Sequence, residues 1–153
     1  MNQAELLVGL KIPDTTAITA FHTLERMGFS TVKSLERMDY FLFSFDGDFD
    51  VFKEKIMKVD ILVNANKHIP RVKRKDEKLR HDSDEVFVLV KETMQDNSLM
   101  NVLQNRLGLD EIREAERGTL WRIVFSDGKN KETAKKIAQE LLANINYQSF
   151  EIF

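Results

Sequence analysis

The chain has 153 residues, 42% of them hydrophobic, with 23 Lys and Arg against 25 Asp and Glu and no cysteine. A formal net charge of −2 argues against a general binder of nucleic acid or of an anionic membrane, and the missing cysteine excludes disulfides, thiolate zinc sites and a cysteine nucleophile. The amino terminus lacks a basic segment followed by an apolar run, and no apolar run reaches membrane-spanning length, so a soluble, cytoplasmic protein is expected.

In chain order, Glu5–Ile12 is rich in Leu and Val and predicts a strand. Asp14 or Thr15 is placed to cap a helix that carries Ala17, Phe21, Leu24 and Met27 at helical spacing, with Gly28 as its stop. Val32–Arg37 and Tyr40–Phe45 predict a hairpin around Met38 and Asp39. Phe49, Phe52, Ile56, Val59 and Val63 predict a second amphipathic helix, ended by 64–66, before a last strand at Ile69–Lys73.

The same order then returns. Val86–Lys91 predicts a strand. Asp96, Asn97 and Ser98 are candidate caps for a helix with Leu99, Leu103 and Leu107, stopped by Gly108. Glu111–Arg117 and Leu120–Phe125 predict a hairpin around Gly118 and Thr119. A helix with Ala134, Ile137, Leu141 and Leu142 inward precedes a closing strand at Tyr147–Phe153.

The return is a repeat. Asp60-Ile-Leu-Val-Asn-Ala-Asn66 comes back as Glu140-Leu-Leu-Ala-Asn-Ile-Asn146, eighty residues on. At that offset Leu6–Lys11 lies over Val86–Lys91, Gly28 over Gly108, Arg37 over Arg117, and Tyr40–Phe45 over Leu120–Phe125. Two copies are too few for a solenoid and predict a pseudo-twofold pair. The expected class is α+β: two tandem β-α-β-β-α-β copies, 1–73 and 85–153, each an antiparallel sheet with helices on one face. A polar linker, 74–84, lies within the charged stretch Arg71–Glu85, which includes Arg80. Phe41, Phe43 and Phe45 on one side, and Trp121, Ile123 and Phe125 in the other copy, should pack under helices. The opposite faces, with Tyr40, Leu42, Leu120 and Val124, are also apolar, so the copies are expected to bury or join their sheets.

Chemistry-bearing patterns are few. No glycine-rich phosphate loop occurs, and His22, His68 and His81 fall in unrelated segments without metal-ligand spacing. Asp46, Asp48 and Asp50 alternate like a calcium loop, but the glycine and late glutamate are misplaced, so turn and cap roles are expected. The aromatic strand Tyr40–Phe45 lacks the basic-glycine-aromatic signature of an RNA platform and reads as core. Catalytic residues, cofactors and metals are therefore expected to be absent.

Val86-Phe-Val-Leu-Val-Lys91, Asp96, Ile112–Arg117, Gly118 and Leu141-Leu-Ala-Asn144 resemble, in sequence and order, the PurS family, the small subunit of phosphoribosylformylglycinamidine synthase. Family members show a strand ending Leu-Lys, an Asp-Pro-Gln-Gly turn, a Val-Arg-x-Gly-Lys hairpin and a helix ending Leu-Leu-Ala-Asn-Pro. The second copy matches nearly throughout; the first matches through Leu10-Lys11, Gly28, Arg37 and Leu62-Val-Asn64. Asp-Pro-Gln-Gly is missing from both copies, the hairpin lysine is replaced by Asp39 and Thr119, and proline does not follow Asn64 or Asn144. The tandem looks like the family's dimer fused into one chain.

The resemblance implies a non-catalytic subunit of a ligase in purine biosynthesis, which bridges a glutaminase (PurQ-like) and an ATP-dependent synthetase (PurL-like) and aids ammonia transfer. It puts Arg37 and Arg117 at the family's hairpin arginine, where they contact a partner, brace the hairpin, or serve as plain surface or ion-pair residues. Tyr147, Phe150 and Phe153 of the closing strand are the further interface candidates. A homodimer of the tandem chain is compatible with this reading. The alternative is an ACT-like regulatory module that binds a small molecule between paired β-α-β-β-α-β copies.

Overall fold

The computed structural model describes residues 1–79, 82–128 and 130–153, so Arg80 and His81, read above as a linker cation and an unremarkable histidine, lie outside the described residues. The elements are β1 (Asn2–Leu10), α1 (Thr15–Arg26), β2 (Val32–Phe45), α2 (Phe49–Met57), β3 (His68–Arg74), β4 (Glu85–Glu92), α3 (Ser98–Asn101), β5 (Ile112–Phe125), α4 (Lys131–Ile137) and β6 (Gln148–Ile152). α3 runs on into a π-helical turn at Val102–Arg106, and α4 into another at Ala138–Leu142. The class is α+β, with antiparallel strands in the order β3-β1-β2-β5-β4-β6. No helix among the described residues is long and apolar enough to cross a membrane.

The two predicted hairpins do not form. β2 and β5 are each one continuous strand of 14 residues. A tight two-residue hairpin needs positive φ in its turn. Met38, Asp39, Thr119 and Gly118 all lack it, because positive φ among the described residues belongs to Gly28, Gly47, Gly108 and Gly128. Each copy therefore reads β-α-β-α-β.

Long strands change how the chain compacts. One compact unit takes Met1–Lys11, Asp39–Lys78 and Met94–Arg117; the second takes Ile12–Met38, Leu79–Thr93 and Gly118–Phe153. The boundaries 1–73 and 85–153 thus mark the two copies of the repeat, while the compact units each draw on both copies.

In the first unit Phe41, Phe43 and Phe45 line the core with Phe49, Phe52 and Ile56 of α2 and Leu99 and Leu103 of the α3 helix. The Phe45 and Phe52 rings stack at 3.9 Å, and Phe43 meets Phe52 edge-on at 5.8 Å. In the second unit Trp121, Ile123 and Phe125 pack with Ala17 and Leu24 of α1 and Ala134 and Ile137 of α4. The helix-side strand faces are those expected, and each such large side chain contributes about 2 kcal/mol by leaving water. The opposite-face residues Tyr40, Leu42, Leu120 and Val124 are buried as well.

Three further expectations change in detail. α2 stops at Met57, with Lys58 as its cap, while Val59, Leu62 and Val63 are buried from the turns that follow. The stretch Arg71–Glu85 is not all solvated connector. Arg71–Arg74 completes β3, Glu85 opens β4, and Lys73 and Glu85 are buried because each has a counter-charge. The eighty-residue offset holds for β2 and β5, but β1 and β4 correspond at 82: Leu6 sits opposite Phe41, and Val88 opposite Trp121. A slip of two residues keeps every side chain on its face, so the apolar pattern cannot reveal it.

The motif that exposed the repeat is reproduced bond for bond. The Asn64 Oδ1 accepts from the Asn66 N–H at 3.0 Å, and the Asn144 Oδ1 from the Asn146 N–H at 3.1 Å. The N–H of Asn64 donates to His68 Nδ1 (2.9 Å); that of Asn144 donates to Gln148 Oε1 (2.8 Å). These side chains replace the backbone partners that a loop lacks.

Candidate functional site

Pro13 cannot extend the β1 ladder, and Asp14 follows in extended conformation as the cap of α1. Its Oδ1 accepts from the N–H groups of Thr16 (3.0 Å) and Ala17 (3.3 Å). The same carboxylate receives Arg37 from β2: Nε donates to Oδ2 at 2.8 Å and Nη2 to Oδ1 at 3.1 Å. Burial alone would raise the Asp14 pKa. The Arg37 hydrogen bonds and charge, with the two helix amides, outweigh it and hold the carboxyl below its usual value. A hollow of about 280 Å³ beside the pair is lined by Pro13, Ala17, Ile18 and Leu35.

The first unit holds the counterpart. Asp96, 82 residues after Asp14, accepts from Ser98 N–H at 3.0 Å and Ser98 Oγ at 2.6 Å. Those two bonds lower its pKa, and the charge of Arg117 adds to the effect. Arg117 is exposed. Its backbone is bracketed by Gln95, whose Oε1 accepts from the Arg117 N–H (3.0 Å) and whose Nε2 donates to the Arg117 carbonyl (3.3 Å). Its guanidinium lies 5.5 Å from the Phe41 ring centroid, within cation–π range. Arg37 is thus clasped by a carboxylate, while Arg117, exposed, lies over an aromatic ring instead.

The other candidates lie along one end of the second unit. Tyr147 is 67% exposed, with its carbonyl accepting from the Thr93 N–H and Oγ1, both at 2.8 Å. Phe150 is half-buried against the core, and Phe153 exchanges both backbone bonds with Phe87. Arg37 belongs to this second unit, and Arg117 to the first.

Sequence reading passed over a set of buried charges. In the first unit Glu5 receives the Tyr40 hydroxyl at 2.5 Å and Lys73 Nζ at 2.5 Å, and Lys73 also donates to the Glu77 carbonyl. In the second, Glu85 pairs with Arg122, which also reaches Glu36 at 3.2 Å and is held above its usual pKa first by Glu85. The hints of this in the sequence are Arg122, set inside the apolar run Leu120–Phe125, and Glu5 and Glu85, each at the start of an apolar run. Among the described residues, no group of three or more His, Asp or Glu is placed to hold a metal. His22 pairs with Glu25 on the surface of α1, and His68 Nδ1 is used by Asn64.

A groove of about 450 Å³ crosses the second unit beside α1. Thr15, Thr19 and Thr23 form its polar wall at four-residue spacing; Trp121, Leu141 and Leu142 form its apolar floor. Neither protein-family models nor curated proteins give a match to this chain.

Proposed function

We propose that this chain is a non-catalytic assembly subunit of PurS type, bridging the glutaminase and the ATP-dependent synthetase of phosphoribosylformylglycinamidine synthase and aiding ammonia transfer between them. The observation that supports the reading is a strand arginine placed at equivalent positions of the two copies but held differently: Arg37 is paired with a helix-start aspartate, and Arg117 is not hydrogen-bonded to Asp96. Asp14 meets Arg37 in one unit, and Asp96 lies within the field of Arg117 in the other. Asp96, Arg37 and Arg117 are among the residues that carry the family resemblance, while Asp14 only stands near the family's missing turn motif. A bridge needs one surface for each large partner, and two related units with differently presented arginines supply two surfaces that have diverged.

Reconstitution with the synthetase and glutaminase subunits of the same organism tests the reading. Glutamine-dependent amidation should require this chain, and ammonia-dependent amidation should require it less. Equal glutamine-dependent rates with and without it, and no complex by gel filtration, would refute the assignment. The groove along Thr15, Thr19 and Thr23 favours a second reading, the ACT-like small-molecule sensor. Its signature is a rise in melting temperature with one class of metabolite, with saturation that follows binding linkage.

A further inference from the structure

β3 and β6 are the two outer strands, and their free edges are not alike. In an antiparallel ladder alternate residues turn their N–H and C=O toward the neighbour and the rest turn theirs away. At β3, Lys11 N–H donates to the Lys67 carbonyl and Lys75 N–H to the Gln3 carbonyl, so His68, Pro70, Val72 and Arg74 face outward. That edge is blunted. The His68 N–H is used by the Asn64 carbonyl at 2.8 Å, Pro70 has no N–H, and the Arg74 N–H is used by Glu77 Oε1 at 3.4 Å. Prolines and basic residues on an outer strand discourage further pairing.

At β6, Phe153 and Phe87 exchange both bonds, at 3.0 and 2.7 Å, so Ser149 and Glu151 face β4 while Gln148, Phe150 and Ile152 face outward. The Gln148 N–H is used by the Asn144 carbonyl, as at His68. Phe150, however, stands eighty residues after Pro70 and keeps its N–H. The two copies carry the same edge, closed by proline in one and open in the other. Around it Tyr147 and Ile145 are 67% and 65% exposed.

We propose that β6 pairs antiparallel with β6 of a second copy of this chain, with Phe150 on the twofold axis. In this register Phe150 faces Phe150 across a hydrogen-bonded pair, Gln148 faces Ile152, and Ser149 faces Glu151. The two Glu151 carboxylates are thereby kept apart, and Phe150 and Ile152, which lie against the core of the second unit, meet apolar or amide partners. The contact is isologous and so closes at two chains, and the β3 edge, interrupted by Pro70 and with the His68 and Arg74 N–H groups already used, is ill suited to extend it. The pairing is independent of the assembly role proposed above.

Sedimentation equilibrium of the purified full chain tests it. The chain should form a dimer. Ser149→Glu puts a carboxylate opposite each Glu151 and should raise the dimer dissociation constant about tenfold. Ser149→Lys should leave it unchanged or lower it, and Phe150→Pro, copying Pro70, should abolish the dimer. Circular dichroism and denaturant melts identify any variant that fails to fold, and the lysine and glutamate variants keep the test decisive if the proline variant does. Hydrogen exchange at the Phe150 and Ile152 amides should slow as protein concentration rises. A chain that stays monomeric at all concentrations, a dimer indifferent to the Ser149 charge, or β6 amides that exchange equally fast in dimer and monomer would each overturn the proposal. Protection of these amides by an added extended peptide, without any dependence on chain concentration, would also overturn it.

Discussion

Arg37 holds Asp14 through two nitrogens while Asp14 holds two amides at the start of α1. One carboxylate thereby ties a helix start to a strand and satisfies both. Asp14→Ala removes the cap and leaves Arg37 unpaired, and should destabilise the chain by about 1–2 kcal/mol. Arg37→Ala removes the ion pair alone and should cost under about 1 kcal/mol, because the guanidinium is partly solvated. Urea melts of the two variants give the comparison, and an Arg37→Ala loss exceeding that of Asp14→Ala would reverse this ranking.

The same pair predicts a pH dependence. The folded-state pKa of Asp14 is depressed, so its stabilisation is fully present above the ordinary aspartate pKa of about 3.9. It is lost as pH falls through the lower folded value. The stability difference between wild type and Arg37→Ala should therefore be constant near neutrality and shrink in acid below about pH 4. Chemical denaturation at a series of acid pH values follows it; a difference that grows in acid would contradict the sign.

Trp121 is 6% exposed and lies between strands and helices of the second core. Trp121→Ala should destabilise by about 3–5 kcal/mol. Calorimetry would contradict this placement with a loss below about 1 kcal/mol.

Gly118 lies opposite Lys91 in the β4–β5 ladder, and a Cβ there would come within 2.7 Å of the Val90 carbonyl oxygen. Backbone on that side cannot rotate away like a side-chain tip. Gly118→Ala should destabilise by about 1–3 kcal/mol through the shift it forces. A neutral or stabilising alanine in equilibrium melts would mean that the ladder yields at this point.

Lys73 and Glu5 are 5% and 6% exposed and meet at 2.5 Å. Lys73→Met strands a buried carboxylate and should cost about 3–5 kcal/mol, whereas replacing both with Glu5→Leu and Lys73→Met should recover most of the loss. A double-mutant cycle measures the coupling; additive losses would show that the pair is not linked in this way.

Much of the fold was legible because repetition doubles every signal. The Asn64 and Asn144 turns, the glycine stops at Gly28 and Gly108, and the helix-side faces of Phe43 and Ile123 all follow from local pattern. What local pattern lacked was continuity. Gly118 looked like a turn residue, yet its small size serves the close approach of Val90 rather than a reversal of the chain. The two-residue slip between β1 and β4 was invisible because even shifts preserve faces. At the candidate site Arg37 and Arg117 were found through the repeat, but the clasp of Arg37 by Asp14 was not. It joins residues 23 positions apart, a separation no periodicity reports. Lys73 was read as part of a polar stretch and Glu5 as the start of a strand, and nothing local joined them, although their opposite charges are the reason both enter the interior.

The exchange of chain halves between the two cores has a consequence for the integrity of the chain. Phe41 and Leu103 share one core, Leu24 and Trp121 the other, so each copy of the repeat supplies walls to both. A repeat built this way is not two beads on a string that can be parted at the junction of the copies. Cleaving the peptide anywhere in 74–84 should yield two fragments, each incomplete alone, that regain structure when mixed in equal amounts. A single chain supplies the two copies one to one, and each core takes different residues from each copy, Phe41 beside Leu103 in one and Leu24 beside Trp121 in the other.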